Sequence, residues 1–314
     1  MTTRRITSVA IASAVATLVL AAVTLASLAL GSRQIAPDVV WDALVNGGAS
    51  QDAQVVTQLR VPRTIAALVI GGALGLAGSI MQAMTRNPLA DPGVLGINAG
   101  AAFLVVTVTA ASGVATRAAT LGASLLGAGV AAGLVFAMSG SGGGSRSRLA
   151  LAGIAVSAAL ASLTQAVLAA NQYAFNEFRY WASGSLEGVD MASVVSAGAV
   201  IAGGAVVALL ITSALGVLAL GDDAAVSLGV RVQLIRVLGV VAVTALAGGA
   251  TALGGPLTFV GLAVPLMVRR IVGARQGAIA SGLSWSELLG CAVLMSPHAS
   301  CSPRPRSPWA SSSL

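Results

Sequence analysis

Eight apolar runs recur along this sequence, and most of them are long enough to cross a membrane as a helix. A helix needs about 20 apolar residues to span a hydrocarbon core that is about 30 Å thick. Only 9% of the 314 residues are charged, whereas a soluble domain carries about 25%. Since a soluble core could not absorb this much apolar surface, the runs predict an all-α, polytopic transmembrane helical bundle with spans at 8–30, 63–84, 94–112, 118–139, 149–170, 191–217, 234–253 and 256–272.

The first run favours an uncleaved membrane helix with a cytoplasmic N-terminus. It follows Arg4 and Arg5 and exceeds the apolar core of a cleaved signal peptide, which is about 7–15 residues long. Cytoplasmic segments carry an excess of basic residues. In this orientation the inner segments hold Arg4, Arg5, Arg86, Arg146, Arg148, Arg231, Arg236, Arg269, Arg270 and Arg275, and the outer segments hold Arg33, Arg60, Arg63, Arg117 and Arg179.

Two glycine-rich segments resemble each other. Residues 71–78 read GGALGLAG and residues 248–255 read GGATALGG. The first lies on a helix predicted to run inward and the second on one predicted to run outward, as in transporters built from inverted repeats. The alternative is a chance similarity between stretches rich in glycine and alanine.

Several classes of function lack the residues that they need. The sequence contains no lysine, so it has no G-x-x-x-x-G-K-[ST] loop to hold nucleotide phosphates. Its single histidine, His298, leaves most hydrolase chemistries without a base, and its arginines do not form the basic stripe of a nucleic-acid-binding surface. We therefore expect no enzyme activity, no cofactor and no nucleic-acid partner. A metal site made from Cys291, His298 and Cys301 is the weaker alternative to no metal site.

Two cations stand one helical turn apart at the predicted outer mouth, in Leu59-Arg-Val-Pro-Arg63. Pro62 can begin a helix, because the first turn does not need its missing N–H. Arg60 and Arg63 could bind the carboxylates of a partner in bidentate fashion. Alternatively, they anchor the helix at the membrane interface.

A rigid turn is predicted at the inner end of the same helix, in the segment 81–96, which reads MQAMTRNPLADPGVLG. Two prolines and a glycine between two membrane helices favour a tight turn. The residues that we assign to this turn or to the transport pathway are Gln82, Asn87, Pro88, Asp91, Pro92 and Gly93.

The inner segment 218–233 predicts a short amphipathic helix. Acidic residues suit a helix N-terminus and glycine suits its end. The residues that form this pattern are Asp222, Asp223, Ala224, Ala225 and Gly229. An ordinary solvated loop is the alternative for this segment taken alone.

These segments together resemble the FecCD family of iron-siderophore and cobalamin ABC permeases. The similarity includes LRVPR and MQAMTRNPLADPGVLG, then Trp181-Ala-Ser-Gly-Ser-Leu186, and finally the loop 220–230 with Gly255-Pro-Leu-Thr-Phe-Val-Gly261. The blocks occur in the family's order from about residue 40 to 273, and their combination is far more specific than any one of them.

The resemblance implies a transport subunit with several partners. Members of the family pair two permease subunits around one pathway, with two ATPase subunits on the cytoplasmic side and a periplasmic or lipid-anchored substrate-binding protein outside. Arg60 and Arg63 match the family's docking arginines. Asp222, Asp223, Ala224, Ala225 and Gly229 match its ATPase coupling loop. We expect a cell-membrane importer of ferric chelates, with cobalamin or haem as alternative cargo.

The C-terminal part departs from the family, which has ten helices, of which about eight are recognisable here. Residues 1–273 are predicted to form the permease domain. Residues 274–314 are atypical, and 296–314 is rich in serine, proline and arginine. We expect this segment to reflect a truncated or frameshifted reading frame, and the final helices to be missing.

Two other kinds of protein share some of these features. One is a secondary transporter of the inverted-repeat type, and the other is a membrane-embedded structural or receptor subunit. The first is disfavoured because no acidic residue falls within a clean span, whereas ion-coupled transporters usually carry carboxylates or histidines there.

Overall fold

The computed structural model describes residues 2–29, 35–47, 50–114, 116–139 and 146–272. These residues are mostly helical and contain no β-strand, so the predicted all-α class is confirmed. The α-helices are α1 (Thr2–Ala29), α2 (Pro37–Asn46), α3 (Gln51–Val55), α4 (Val61–Thr85), α5 (Ile97–Ser112), α6 (Arg117–Ser139), α7 (Arg146–Ala170), α8 (Gln172–Ala182), α9 (Met191–Leu218), α10 (Asp222–Ser227), α11 (Val232–Gly254) and α12 (Val260–Val272).

Five helical segments among the described residues are long and apolar enough to cross a membrane. They are Gln51–Thr85, Arg117–Ser139, Arg148–Ala170, Met191–Leu218 and Val232–Gly254. Three shorter apolar helices, Thr17–Ala29, Ile97–Ser112 and Val260–Arg269, correspond to the remaining predicted spans. The chain is therefore a multi-pass membrane bundle.

Helices α4 and α11 form the centre of the bundle and pack against each other in antiparallel fashion. Met84 near the end of α4 lies over Gly239 near the start of α11, and Ile70 lies against Gly254. The two glycine-rich segments, 71–78 and 248–255, therefore occur on neighbouring helices of opposite direction, as an inverted repeat requires.

Glycine allows α12 and α4 to approach until their backbones touch. A Cβ atom on Gly78 would overlap the carbonyl oxygen of Gly261, and one on Gly261 would lie 2.7 Å from Cδ of Pro92. Gly100 of α5 and Gly127 of α6 approach in the same way. Membrane helices associate through such close packing, because lipid tails are as apolar as leucine and leave no hydrophobic driving force.

The segments predicted to lie outside contain more helix than the sequence indicated. The region between the first two spans forms α2 and α3, and the region before α9 forms α8. Pro62 does not begin the second membrane helix, because helical backbone runs from Gln51 through a π-helical turn at Val56–Arg60 into α4. Proline lacks the N–H of a regular helical hydrogen bond, and its ring clashes with the carbonyl four residues earlier. The wider π-helical turn before Pro62 relieves both problems.

Polar contacts at the two ends of the bundle agree with the predicted alternation of inner and outer segments. Arg236 donates to Asp222 at 2.7 Å at the end where α4 stops and α11 begins. Arg117 donates to Asp190 at 2.9 Å at the opposite end, between the start of α6 and the start of α9.

Residues 273–314, with Cys291, His298 and Cys301, lie outside the described residues, so their predicted departure from the fold stays a prediction.

The glycine contact between α4 and α12 predicts a selective loss of stability. Gly78→Ala should lower the midpoint of thermal unfolding in detergent by about 5 °C, because one added methyl overpacks a backbone contact at a cost of about 1–3 kcal/mol. Gly203→Ala on α9 is the matched control, because a Cβ atom there meets open space. That change should leave the midpoint unchanged or slightly raised. Equal midpoints for the two variants would contradict the packing.

Candidate functional site

The predicted turn after α4 is present and is held by its own side chains. The Asn87 side-chain oxygen accepts a hydrogen bond from the Leu89 N–H at 3.0 Å, and Asp91 accepts one from the Gly93 N–H at 2.7 Å. A 3-10 turn follows at Pro92–Leu95. Pro88 and Pro92 restrict the backbone on either side of Asp91, so the turn is a rigid connection between α4 and α5.

This turn packs between two other helices. A Cβ atom on Gly153 of α7 would overlap the carbonyl oxygen of Val94, and Gly261 of α12 lies against Pro92. Burial raises the pKa of the Asp91 carboxyl, and the hydrogen bond from the Gly93 N–H opposes that shift. Two sequence blocks that lie far apart in the chain, 81–96 and 255–261, therefore form one contact region.

Gln82 lies inside this region. Its side chain is 2% exposed, and its Nε2 donates to the Leu262 carbonyl of α12 at 3.5 Å. Its Oε1 is buried and has no hydrogen-bond partner among the described residues. Gln82 thus links α4 to α12.

A second polar link was missed in the sequence. Asn98 of α5 accepts a hydrogen bond from the Thr251 hydroxyl at 3.0 Å and donates to the Leu257 carbonyl at 3.4 Å. The sequence could have indicated this link, because an amide side chain near the start of an apolar run forms hydrogen bonds with neighbouring helices of the bundle.

The segment Trp181–Leu186 packs against the end of α11. A Cβ atom on Gly255 would overlap the carbonyl oxygen of Trp181, and Gly184 lies near the Gly254 carbonyl. Gly184 and Gly255 both have positive φ, +70° and +73°, which glycine adopts without steric cost. A third sequence block therefore packs against the end of α11 that is predicted to lie outside.

A cavity of about 670 Å³ lies at this end of the bundle, between α5, α6, α8, α9 and α11. Its lining includes the apolar Val105, Leu121 and Leu253 and the charged Arg117, Glu177 and Asp190. Hydrogen bonding from Ser193, with a smaller effect of Arg117, lowers the pKa of Asp190. No group of three or more His, Cys, Asp or Glu side chains among the described residues could hold a metal ion.

Arg60 and Arg63 occupy different environments. Arg60 is 9% exposed, and its guanidinium donates to the carbonyls of Leu28 and Ala29 at 2.6 and 2.8 Å. These carbonyls belong to the last turn of α1, where the carbonyl groups have no hydrogen-bond donor within their own helix. Arg63 is half-buried and lies one turn further along the helix. Arg60 therefore fixes α1 to α4, and Arg63 is the more accessible cation.

The predicted coupling segment forms a short helix with an exposed surface. Asp222 and Asp223 lie in its first turn, and Ala225 is buried. After its last turn the Val230 N–H donates to the Ala225 carbonyl at 2.9 Å, and Gly229 has φ +79°. This is the glycine-ended helix that the sequence predicted.

The exposed surface at the end of α10 carries two large apolar side chains. Val226 is 63% exposed and Leu228 is 65% exposed. Together with the exposed Ser227 and Gly229 they form a surface at the same end of the bundle as the turn after α4. Ala224 lies between the two acidic residues and this surface.

Comparison with known proteins identifies the family. A family model described as the FecCD transport family matches residues 18–298. This chain belongs to the FecCD transport family. The match continues beyond Gly273, where the sequence motifs had placed the end of the resemblance.

Several relatives are similar over most of their length. The ferric enterobactin transport system permease protein FepD of Escherichia coli (strain K12) is 43% identical over 276 residues, which cover 85% of this chain and 82% of FepD. The Fe(3+)-citrate import system permease protein YfmD of Bacillus subtilis (strain 168) is 36% identical, with 82% and 74% covered. A solved metal-chelate type ABC transporter in an inward-facing conformation has the same fold, with a TM-score of 0.76, 24% identity, and 90% and 87% of the chains covered.

The different environments of the two arginines predict different effects on stability. Arg60→Gln should lower the free energy of unfolding by about 2 kcal/mol, because two buried carbonyls lose a charged donor. Arg63→Gln is the matched control and should change it by less than about 0.5 kcal/mol. Thermal unfolding of both purified proteins in the same detergent measures the difference, and equal losses would contradict the role given to Arg60.

Proposed function

We propose that this chain is a permease subunit of an ABC importer that carries ferric chelates across the cytoplasmic membrane. The observation that carries the proposal is the joint match of its motifs and nearly its whole length to a transport family, in which FepD is named for ferric enterobactin and YfmD for ferric citrate. The exposed apolar surface of α10 supports it, because a transport subunit without a nucleotide-binding loop needs a docking site for an ATPase.

The proposal includes three kinds of partner. A second permease subunit, the same or a different chain, completes the pathway. Two ATPase subunits bind from the cytoplasm and hydrolyse ATP, and a substrate-binding protein docks outside. The distribution of arginines supports a cytoplasmic N-terminus, which puts α10 on the cytoplasmic side and Arg63 on the outer side.

The direct test is uptake by the reconstituted transporter. The chain is co-expressed with its partner permease, ATPase and binding protein and placed in liposomes that contain ATP. Accumulation of ⁵⁵Fe-labelled catecholate, hydroxamate and citrate chelates is then compared with that of haem and cobalamin. ATP-dependent uptake of a ferric chelate supports the proposal. Uptake of haem or cobalamin alone would reassign the cargo, and uptake driven by an ion gradient without ATP would overturn it.

The coupling role of α10 predicts a strong effect at Gly229. Gly229→Val should reduce uptake about tenfold or more while membrane insertion stays intact, because a β-branched residue resists the left-handed backbone that ends this helix. Gly229→Asn is the matched control and should retain most uptake, since asparagine tolerates that conformation. Space around Gly229 is open, so a clash would not explain a loss. Normal uptake by the valine variant would contradict the assignment.

The docking role predicts a salt-dependent effect at Arg63. We infer that Arg63 supplies the accessible charge for acidic residues of the binding protein and that Arg60 sets the position of its helix. Arg63→Glu should weaken binding of that protein, with a difference from the wild type that shrinks as salt rises. Arg63→Lys keeps the charge and should bind with intermediate affinity. Unchanged affinity for the glutamate variant at low salt would count against the assignment.

A further inference from the structure

An ion cluster connects α10 to the inner ends of three membrane helices. The carboxylate of Asp222, the first residue of α10, accepts from Arg86 through one oxygen and from Arg236 through the other, the latter at 2.7 Å. Arg86 follows the last residue of α4, and Arg236 lies in the first turns of α11. One carboxylate therefore joins the ends of the two central helices to the coupling helix.

Arg86 also reaches the end of α9. Its Nε donates to the Leu218 carbonyl at 2.9 Å, and Leu218 is the last residue of that helix. Arg86 has φ +50°, a left-handed conformation that is uncommon for residues other than glycine. The conformation turns the chain from α4 into the rigid segment that begins at Asn87.

Within the described residues, α10 also packs against α9 and α11. Ala225 is its one buried residue, while Val226 and Ser227 are exposed. A force applied to this exposed surface therefore reaches the membrane helices chiefly through Ala225, the chain ends and Asp222. The turn behind Arg86 contacts α7 and α12 through Val94 and Pro92. Displacement of Asp222 would thus also act on the turn that contacts α7 and α12.

The charges in the cluster are only partly exposed to water. The side chains of Arg86, Arg236 and Asp222 are 21%, 24% and 40% exposed. Two guanidinium groups that share one carboxylate repel each other once its charge is removed, and the partly buried surroundings screen that repulsion less than bulk water. Loss of the Asp222 charge should therefore remove the attraction that holds α10 to the ends of α4 and α11, and leave Arg86 and Arg236 repelling each other, while the exposed surface at the end of α10 is unchanged.

We propose that Asp222 is a positioning residue that transmits movement of the ATPase from α10 to α4 and α11 through Arg86 and Arg236. The inference rests on the proposed function, since it needs an ATPase bound at α10. It assigns Asp222 to transmission and Val226, Leu228 and their neighbours to docking. Asp222 and the docking surface are thereby separable by experiment.

The test compares Asp222→Asn, Asp222→Glu and Arg86→Gln with Arg148→Gln in the reconstituted transporter. Arg148 is the matched control, because it is an exposed arginine at the predicted inner end, where α7 begins. Three quantities are measured for each: ATPase subunits retained on the purified permease, ATP hydrolysis stimulated by loaded binding protein, and chelate imported per ATP. Midpoints of thermal unfolding are recorded as well.

We expect Asp222→Asn and Arg86→Gln to retain the ATPase but to import about tenfold less chelate per ATP, a typical coupling between sites. Asp222→Glu, which keeps the charge, should recover part of the loss, and Arg148→Gln should match the wild type. Normal import per ATP in Asp222→Asn would overturn the inference, as would loss of the bound ATPase, because Asp222 would then be a docking residue. Absence of ATP-driven uptake by the wild type would instead reject the proposed function itself.

Discussion

Close backbone contact between glycine-bearing helices is the constraint on which the rest of this structure depends. In a bilayer the hydrophobic effect does not drive helices together, so they associate where small residues allow extensive van der Waals contact. Helix α4 satisfies this condition on several sides, with Gly78 against Gly261 and Met84 over Gly239. It is the most buried of the candidate spans, with 78% of its apolar window inside the bundle.

Helix α4 is buried and connects the two ends of the molecule. Its 25 residues extend about 38 Å at 1.5 Å per residue, enough to cross the hydrocarbon core. Arg60 precedes its first residue and holds α1, and Arg86 follows its last residue and holds α9 and α10. The segment that we assign to the binding protein and the one that we assign to the ATPase are thus continuous with the same helix.

The parts of the fold that depend on local sequence could be predicted well. Apolar runs at 118–139, 149–170 and 191–217 agree closely with α6, α7 and α9, since length and hydropathy determine a membrane helix. The turn after Arg86 and the short helix before Gly229 also follow from local residue preferences. Helix α8 was missed because its residues alternate between aromatic and polar types without a long apolar run, and the π-helical turn before Pro62 left no clear signal.

The sequence by itself determined that this chain is a helical membrane protein of a transport family, because hydropathy, arginine distribution and ordered motifs are properties of the chain. Only the tertiary structure decided what individual polar residues do. Arg60 looks like a free docking cation until the carbonyls of Leu28 and Ala29 are found beside it, and Asp222 looks like a simple helix cap until Arg86 reaches it. The physical reason is that these hydrogen bonds join residues 31 to 136 positions apart, and such pairings arise from helix packing that no local pattern encodes.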